Sequence, residues 1–534
     1  MQSDRLLTVY SSNIQIALRG CAFLASFGFA MTSAAQAEVL VTGPSPFAGC
    51  VADNVAGQPG INFPGAEVEP WVDANPKDAL NLIAGWQQDR WSDGGSRGDV
   101  AGYSFNGGAT WATSVPPGIT KCTGGPFERA SDPWVTISPN GTAYFNSLPF
   151  QNNEQPCNTG GDNAIVVSKS TDGGVTWGAP ISIVTDTDGR LFNDKNSMTA
   201  DPVSNAHVYA VWDKLIDFTV PSSCDGSAAR VANASRSGDG VTNARDRLRK
   251  LRSGGPINPA TIFTGPTFFS RTTDGGATWE PEKMIFDPGS NAQTINNLIA
   301  VQPNGTVIDF FTHILNSGSV KLGMVKSNDK GGHFGPLSHA FGMVVTNTGT
   351  LTPDAREPVR DANILFDVAV DRENGNLYVV WQDGSLGNVD RVHFSMSTNG
   401  GNSWSPSIKI NATPASKSKY REQAFIPSVE VGANHRVFVT YYDFRNDTSN
   451  GQELTDYWAI SCDPAAGANC RMKSAWGNEK RLTSSSFDML DAPVARGHFL
   501  GDYQGLVNAG GTVKAVFGKA VSDNVNDMFA VTVP

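Results

Sequence analysis

Apolar residues arrive in short bursts along this chain, each broken by a polar, glycine-bearing turn. NAIVVSKS (Asn163–Ser170) leads through TDGGVT into WGAPISIV (Trp177–Val184), and RVHFSMS (Arg391–Ser397) leads through TNGGNS into WSPSIKI (Trp404–Ile410). Short runs of this kind, bounded by Gly, Asp and Asn, read as strands joined by hairpins. Each pair has another hairpin upstream. Examples are WVTISPNGTAYFNS (Trp134–Ser147), LIAVQPNGTVIDFF (Leu298–Phe311), FDVAVDRENGNLYVVW (Phe366–Trp381) and PSVEVGANHRVFVTYY (Pro427–Tyr442). MTADPVSNAHVYAVW (Met198–Trp212), VDANPKDALNLIAGW (Val72–Trp86) and GLVNAGGTVKAVFG (Gly505–Gly518) repeat the pattern. The chain is therefore expected to be all-β, a run of four-stranded antiparallel sheets. Radial repetition of such sheets is a single β-propeller.

The last unit is one strand short. DMFAVTVP (Asp527–Pro534) ends the chain as a third strand, and EVLVTG (Glu38–Gly43) is free to supply the fourth. Pairing the N- and C-terminal strands in one blade would close the ring. This gives seven blades. Six is the alternative, because the sixth unit lacks a clear turn motif; Trp476 and the loop between Cys462 and Cys470 stand in its place.

The turns themselves are near-copies. SFNGGATW begins at Ser104, STDGGVTW at Ser170, TTDGGATW at Thr272, SNDKGGHF at Ser327 and STNGGNSW at Ser397. Asp or Asn bonds its own backbone, the glycines tolerate positive φ, and the Trp returns the chain to the apolar layer. The pattern S/T-x-D-x-G-x-T-W resembles the Asp-box, or BNR repeat, of the sialidase superfamily. That resemblance implies the propeller again. It implies chemistry only weakly, since one fold hosts many functions.

Composition narrows the setting. Only 17% of the residues are charged, against 56 Gly and 40% apolar residues, which suits many strands and tight turns rather than disorder. Arg5 and Arg19 precede an apolar run, Cys21–Met31, and then Ala35-Gln36-Ala37, an A-x-A cleavage site. Residues 1–37 read as an export signal, and the propeller as 38–534 with an insertion over 214–266. The product is expected to be secreted or periplasmic, with no transmembrane span. The formal net charge is −11 and no broad basic surface stands out, which argues against nucleic acid as a partner. Past the signal six Cys remain. Cys462 and Cys470 bracket a short loop and are read as a disulfide, while the pairing of Cys50, Cys122, Cys157 and Cys224 stays open. No cofactor is expected: the Cys spacing fits no zinc pattern, and no EF-hand-like spacing supports Ca²⁺.

Function is expected on the face opposite the turns, where the connections are long and varied. Resemblance to sialidases extends to the first unit, Glu69–Trp111, in which Asp93 or Asp99 falls where the family keeps its proton-donating Asp. Glu69-Pro70-Trp71 replaces that family's F-R-I-P, so the Arg of the carboxylate clamp is missing. HFLGDYQGLVNAGGTVKAVF (His498–Phe517) resembles the segment carrying the family's Tyr nucleophile, which places Tyr503 in that role with Glu357 or Glu422 as its base. The bland alternative has Tyr503 packed against the axial channel and bonded to backbone.

Arg356, Arg360 and Arg421 enter neighbouring blades and suit an acidic sugar, or else pair across the rim with Asp354, Glu357 or Glu422. Trp86, Trp212 and Trp381, with Asp213 and Asp383 beside them, offer stacking and polar contacts to sugars. Packing between blades is the alternative for the aromatics. His498 completes the candidate substrate site. The expected partner is an extracellular glycan or glycoconjugate, and three activities fit. One is an exo-glycosidase with an Asp acid/base and a Tyr nucleophile. The others are a non-catalytic carbohydrate- or protein-binding propeller, and a polysaccharide lyase using Arg356, Arg421, His498, His313 and Tyr503.

Overall fold

The computed structural model describes residues 37–152, 162–217, 263–448 and 450–534. Apart from short 3-10 turns, every element of these residues is a strand. The strands form antiparallel meanders in chain order. The first comprises Glu67–Ala74, Leu82–Arg90, Ser96–Ser104 and Ala112–Ser114, and the second Arg129–Ile137, Ala143–Phe150, Asn163–Ser170 and Ile181–Asp186. One residue pair, Ser96 with Ala130, joins these two into an eight-stranded sheet. The third runs Leu191–Ala200, Val208–Asp217, Thr267–Thr272 and Lys283–Phe286, and the fourth Gln293–Val301, Val307–Ile314, Val320–Ser327 and Ser338–Met343. The fifth holds Phe366–Val370, Leu377–Asp383, Arg391–Ser397 and Ile408–Lys409, and the sixth Ala424–Val431, Val437–Asp443, Leu454–Cys462 and Trp476–Arg481. In the last sheet Gly505–Ala509, Thr512–Ser522 and Val525–Thr532 take Val39–Leu40 as fourth strand, with Val39 opposite Ala530. The arrangement is consistent with a β-propeller.

The glycine-rich turns share one set of bonds. In the second meander the Ser170 hydroxyl donates to Asp172 (2.8 Å) and accepts from the Gly174 amide (3.0 Å), while Asp172 accepts from the Thr176 amide (3.0 Å). The turns at Ser104, Thr272, Ser327 and Ser397 repeat all three. Gly173 has φ +76°, and a Cβ there would stand 2.6 Å from the Phe105 ring. Lys330 occupies the matching place at φ 55° and puts its ammonium 2.7 Å from Asp201.

Side chains on the first strands tie successive meanders together. The Ile137 amide donates to Asp73, the Ala200 amide to Thr136, the Ser197 hydroxyl to the Asn297 carbonyl, Asn296 to Phe366, the Val429 amide to Asp367, and Ser428 to Gln504. One expectation shifts here. The insertion is narrower than 214–266, because the strand Val208–Asp217 continues past Lys214 and Ile216 pairs with Thr264; residues 218–262, with Cys224, lie outside the described residues. So do most of the export signal and Cys157. Cys50 pairs with Cys122, and Cys462 with Cys470. No helix among the described residues is long and apolar enough to cross a membrane.

Candidate functional site

The first strands carry a repeated irregularity. Their register slips between Val68 and Trp71, Ser131 and Trp134, Asp194 and Ser197, Ile295 and Leu298, and Phe425 and Ser428. Inside each slip sits a non-glycine residue at positive φ: Glu69, Asp132, Lys195, Asn296 and Ile426, between 47° and 61°. A bulge re-aims one side chain and ends regular pairing locally. Here the slips lie at the end of the meanders away from the glycine-rich turns, and three of them bring opposite charges together.

Lys195 is the hub. Its ammonium lies 2.8 Å from Asp502, 3.3 Å from Glu69 and 3.4 Å from Asp132. Arg360 grips both oxygens of Asp502 (3.0 and 2.6 Å) and comes within 4.0 Å of Glu69. The guanidiniums of Arg360 and Arg90 also lie over the Phe499 ring, 4.0 and 5.1 Å from its centroid. All of these charged groups are buried. Burial alone would lower the Lys195 pKa, but Asp132, Asp502 and Glu69 outweigh it and hold the ammonium well above the ordinary lysine value. Burial pushes Glu69 up, so that carboxyl keeps a proton more readily than a glutamate in water does.

Tyr503 sits beside this cluster, edge-on to Trp134 and Trp71, whose rings stack 3.6 Å apart. The Lys195 ammonium is 5.2 Å from the phenol ring centroid. The hydroxyl meets the Pro133 carbonyl at 3.4 Å. Burial, reinforced by Glu69, Asp132, Asp99 and Asp502, holds the phenol well above its ordinary pKa. Trp71, Trp134, Asn296, Asp361, Asp502 and Tyr503 line a partly open pocket beside this cluster.

The candidate acids diverge. Asp99 is buried, accepts from the Ser147 hydroxyl, and has one oxygen with no hydrogen-bond partner among the described residues; burial raises its pKa well above the usual range. Asp93 is partly exposed and ion-paired with Arg129 at 2.8 Å. Asp213 is buried and likewise raised, by burial and then by Asp132.

Several expected ligand contacts belong instead to the framework. Trp86, Trp212 and Trp381 are each 0% exposed, with indole N–H groups bonded to Gln88, Asn193 and Asp383, so they present no face to a sugar. Asp383 also accepts from the Ser385 amide, and His498 bonds the Ala492 carbonyl. Glu422 is held by Arg391 at 2.6 Å and Glu357 lies exposed at the rim, so neither stands as the base for Tyr503. Arg360 is committed to Asp502.

The other two arginines lie on neighbouring loops joined through Tyr420. Arg421 bridges Asp354 (3.0 Å) and Asp447 (2.6 Å), and exposed Arg356 lies 3.5 Å over the ring of Tyr420. Exposed Lys419 also lies 5.2 Å from that ring. This is a solvent-facing cationic and aromatic patch at the end opposite the turns.

Asp132 and Lys195 escaped the reading of the sequence, and Glu69 entered it only as a replacement. A signal was present: Glu69-Pro70-Trp71-Val72 and Asp132-Pro133-Trp134-Val135 are near-copies 63 residues apart, and Lys195 follows after another 63.

No family model matches the chain, and no curated protein matches it. Among solved structures it is similar to the Hadza microbial sialidase Hz136, with 14% identity, 86% of this chain and 75% of that one covered, and a TM-score of 0.45. A Dyadobacter fermentans protein of unknown function shares 14% identity over 76% of this chain and 94% of its own, TM-score 0.42. An alpha-L-arabinanase from Penicillium chrysogenum shares 13% over 72% and 93%, TM-score 0.40.

Proposed function

We propose that the chain is an exported, sialidase-like propeller of seven blades, closed by pairing of its first and last strands, that recognises extracellular glycans at the rim carrying Arg356 and Tyr420. It does so without a tyrosine nucleophile. Five turns of one design and the pairing of Val39 with Ala530 support the propeller. Disulfides at Cys50–Cys122 and Cys462–Cys470 support an oxidising compartment. The observation that carries the functional reading is Tyr503 itself: its hydroxyl faces a backbone carbonyl, its pKa is raised, and the neighbouring cations Lys195 and Arg360 are already neutralised. A nucleophilic phenol needs a base within reach of its proton, whereas this hydroxyl meets the Pro133 carbonyl.

The anionic end of a sugar would meet Arg356 and Lys419, and its apolar face the Tyr420 ring. A glycan array tests this together with fluorescent sialosides and uronans. Retention without turnover, lost in Arg356→Ala, is the expected result. Aglycone release abolished by Tyr503→Phe would overturn the reading and restore the hydrolase, for which Asp99, held above the usual carboxylate range by burial, is the favouring feature. Unsaturated-sugar absorbance would instead point to a lyase.

A further inference from the structure

A pair of histidines unrelated to that rim faces each other in the fourth meander. His313, on Val307–Ile314, is 6% exposed, and its Nδ1 lies 3.0 Å from Nε2 of exposed His339, on Ser338–Met343. The rings are 24° from parallel with centroids 5.3 Å apart. Phe286 stands edge-on to His313 at 5.2 Å and limits its rotation, while His339 is free to adjust. We propose that His313 and His339 form a site for a divalent transition metal of tetragonal preference, copper(II) or nickel(II).

The spacing selects the ion. Metal–nitrogen bonds of about 2.0–2.1 Å to nitrogens 3.0 Å apart enclose an angle of about 91–97°. That is close to the right angle of a square-planar or octahedral ion and short of the tetrahedral angle zinc prefers. The affinity order for nitrogen ligands places copper first.

Lys321 lies opposite His313 in the strand register, and its charge opposes a bound cation.

In the metal-free pair one proton sits between the facing nitrogens. On binding it moves to the far nitrogen of the same ring, His313 Nε2 or His339 Nδ1. Each ring then keeps one proton, and none is released. Nε2 of His313 is buried with no hydrogen-bond partner among the described residues, so it is free to take that role.

Titration of the full chain with copper(II), followed by electron paramagnetic resonance, tests the site. The expected result is one ion per chain with coupling to two nitrogens. His339→Ala, at an exposed position, weakens binding by about tenfold or more and removes one nitrogen coupling. His435→Ala, which removes the surface histidine beside Asp371 and Glu373, leaves it unchanged. Absence of binding to the wild-type chain would overturn the proposal. So would binding indifferent to His339→Ala, or binding lost with His435→Ala.

Discussion

The two ends of the meanders handle carboxylates in opposite ways. At the turn end, Asp274 and Asp329 are held below their ordinary pKa, the first by Thr278 and Thr272, the second by the His333 amide and Ser327. Each needs only neighbours within its own turn. At the other end Glu69, Asp99 and Asp213 are pushed up by burial, and their surroundings come from several sheets. Local bonds can be copied from unit to unit; a charge cluster fed by Glu69, Asp132, Lys195 and Asp502 cannot. The turn end repeats because it fastens, and the other end varies because each unit contributes one part of a shared whole.

The sharpest way to break this comparison is to remove the hub. Lys195→Met leaves three buried carboxyls around no ammonium, and breaking a buried pair costs about 3–5 kcal/mol. Urea unfolding should show that loss. A cost near that of a single turn bond would mean that the cluster is solvated and the two ends are alike.

A pH series comes next. Burial raises Asp73 to about 6, and Asp367 and Glu430 to about 7. A carboxyl whose folded pKa exceeds its unfolded value of about 4 binds its proton more tightly when folded. Its contribution is therefore full below about pH 4 and is lost as pH rises through about 7. Tm should fall between about pH 5 and about pH 7.5, and Asp367→Asn should flatten the fall. The turn aspartates, lowered rather than raised, do not act in that window.

Asp309 offers a gain instead of a loss. It is fully buried on Val307–Ile314, neither carboxyl oxygen has a hydrogen-bond partner among the described residues, and burial raises its pKa. Asp309→Val should stabilise the protein by about 1–3 kcal/mol, read as a higher midpoint in urea. The smallest effect belongs to a turn: Ser170→Ala removes the bonds to Asp172 and Gly174 and should cost about 1 kcal/mol.

The fold was legible because its signals are local. Alternating apolar runs and the PNG and DGG turns specify each hairpin within some fifteen residues, and the free strand at Glu38 had one place to go. Tyr503, Arg356 and Arg421 could be singled out from the sequence as polar groups on strand-entry loops, but what each one touches could not. Trp86, Trp212 and Trp381 show why. An aromatic at a strand end reads the same whether it faces solvent or the next sheet, and only packing decides. Arg360 is similar: its partner Asp502 lies 142 residues away, so nothing nearby in sequence marks its charge as already taken.

Spectrophotometric titration of phenolate, wild type against Tyr503→Phe, reads the state of this phenol. The two curves should coincide up to about pH 10, because burial holds Tyr503 neutral beyond the ordinary tyrosine range. Phenolate absorbance that appears near neutral pH in the wild type and vanishes in the variant would contradict it.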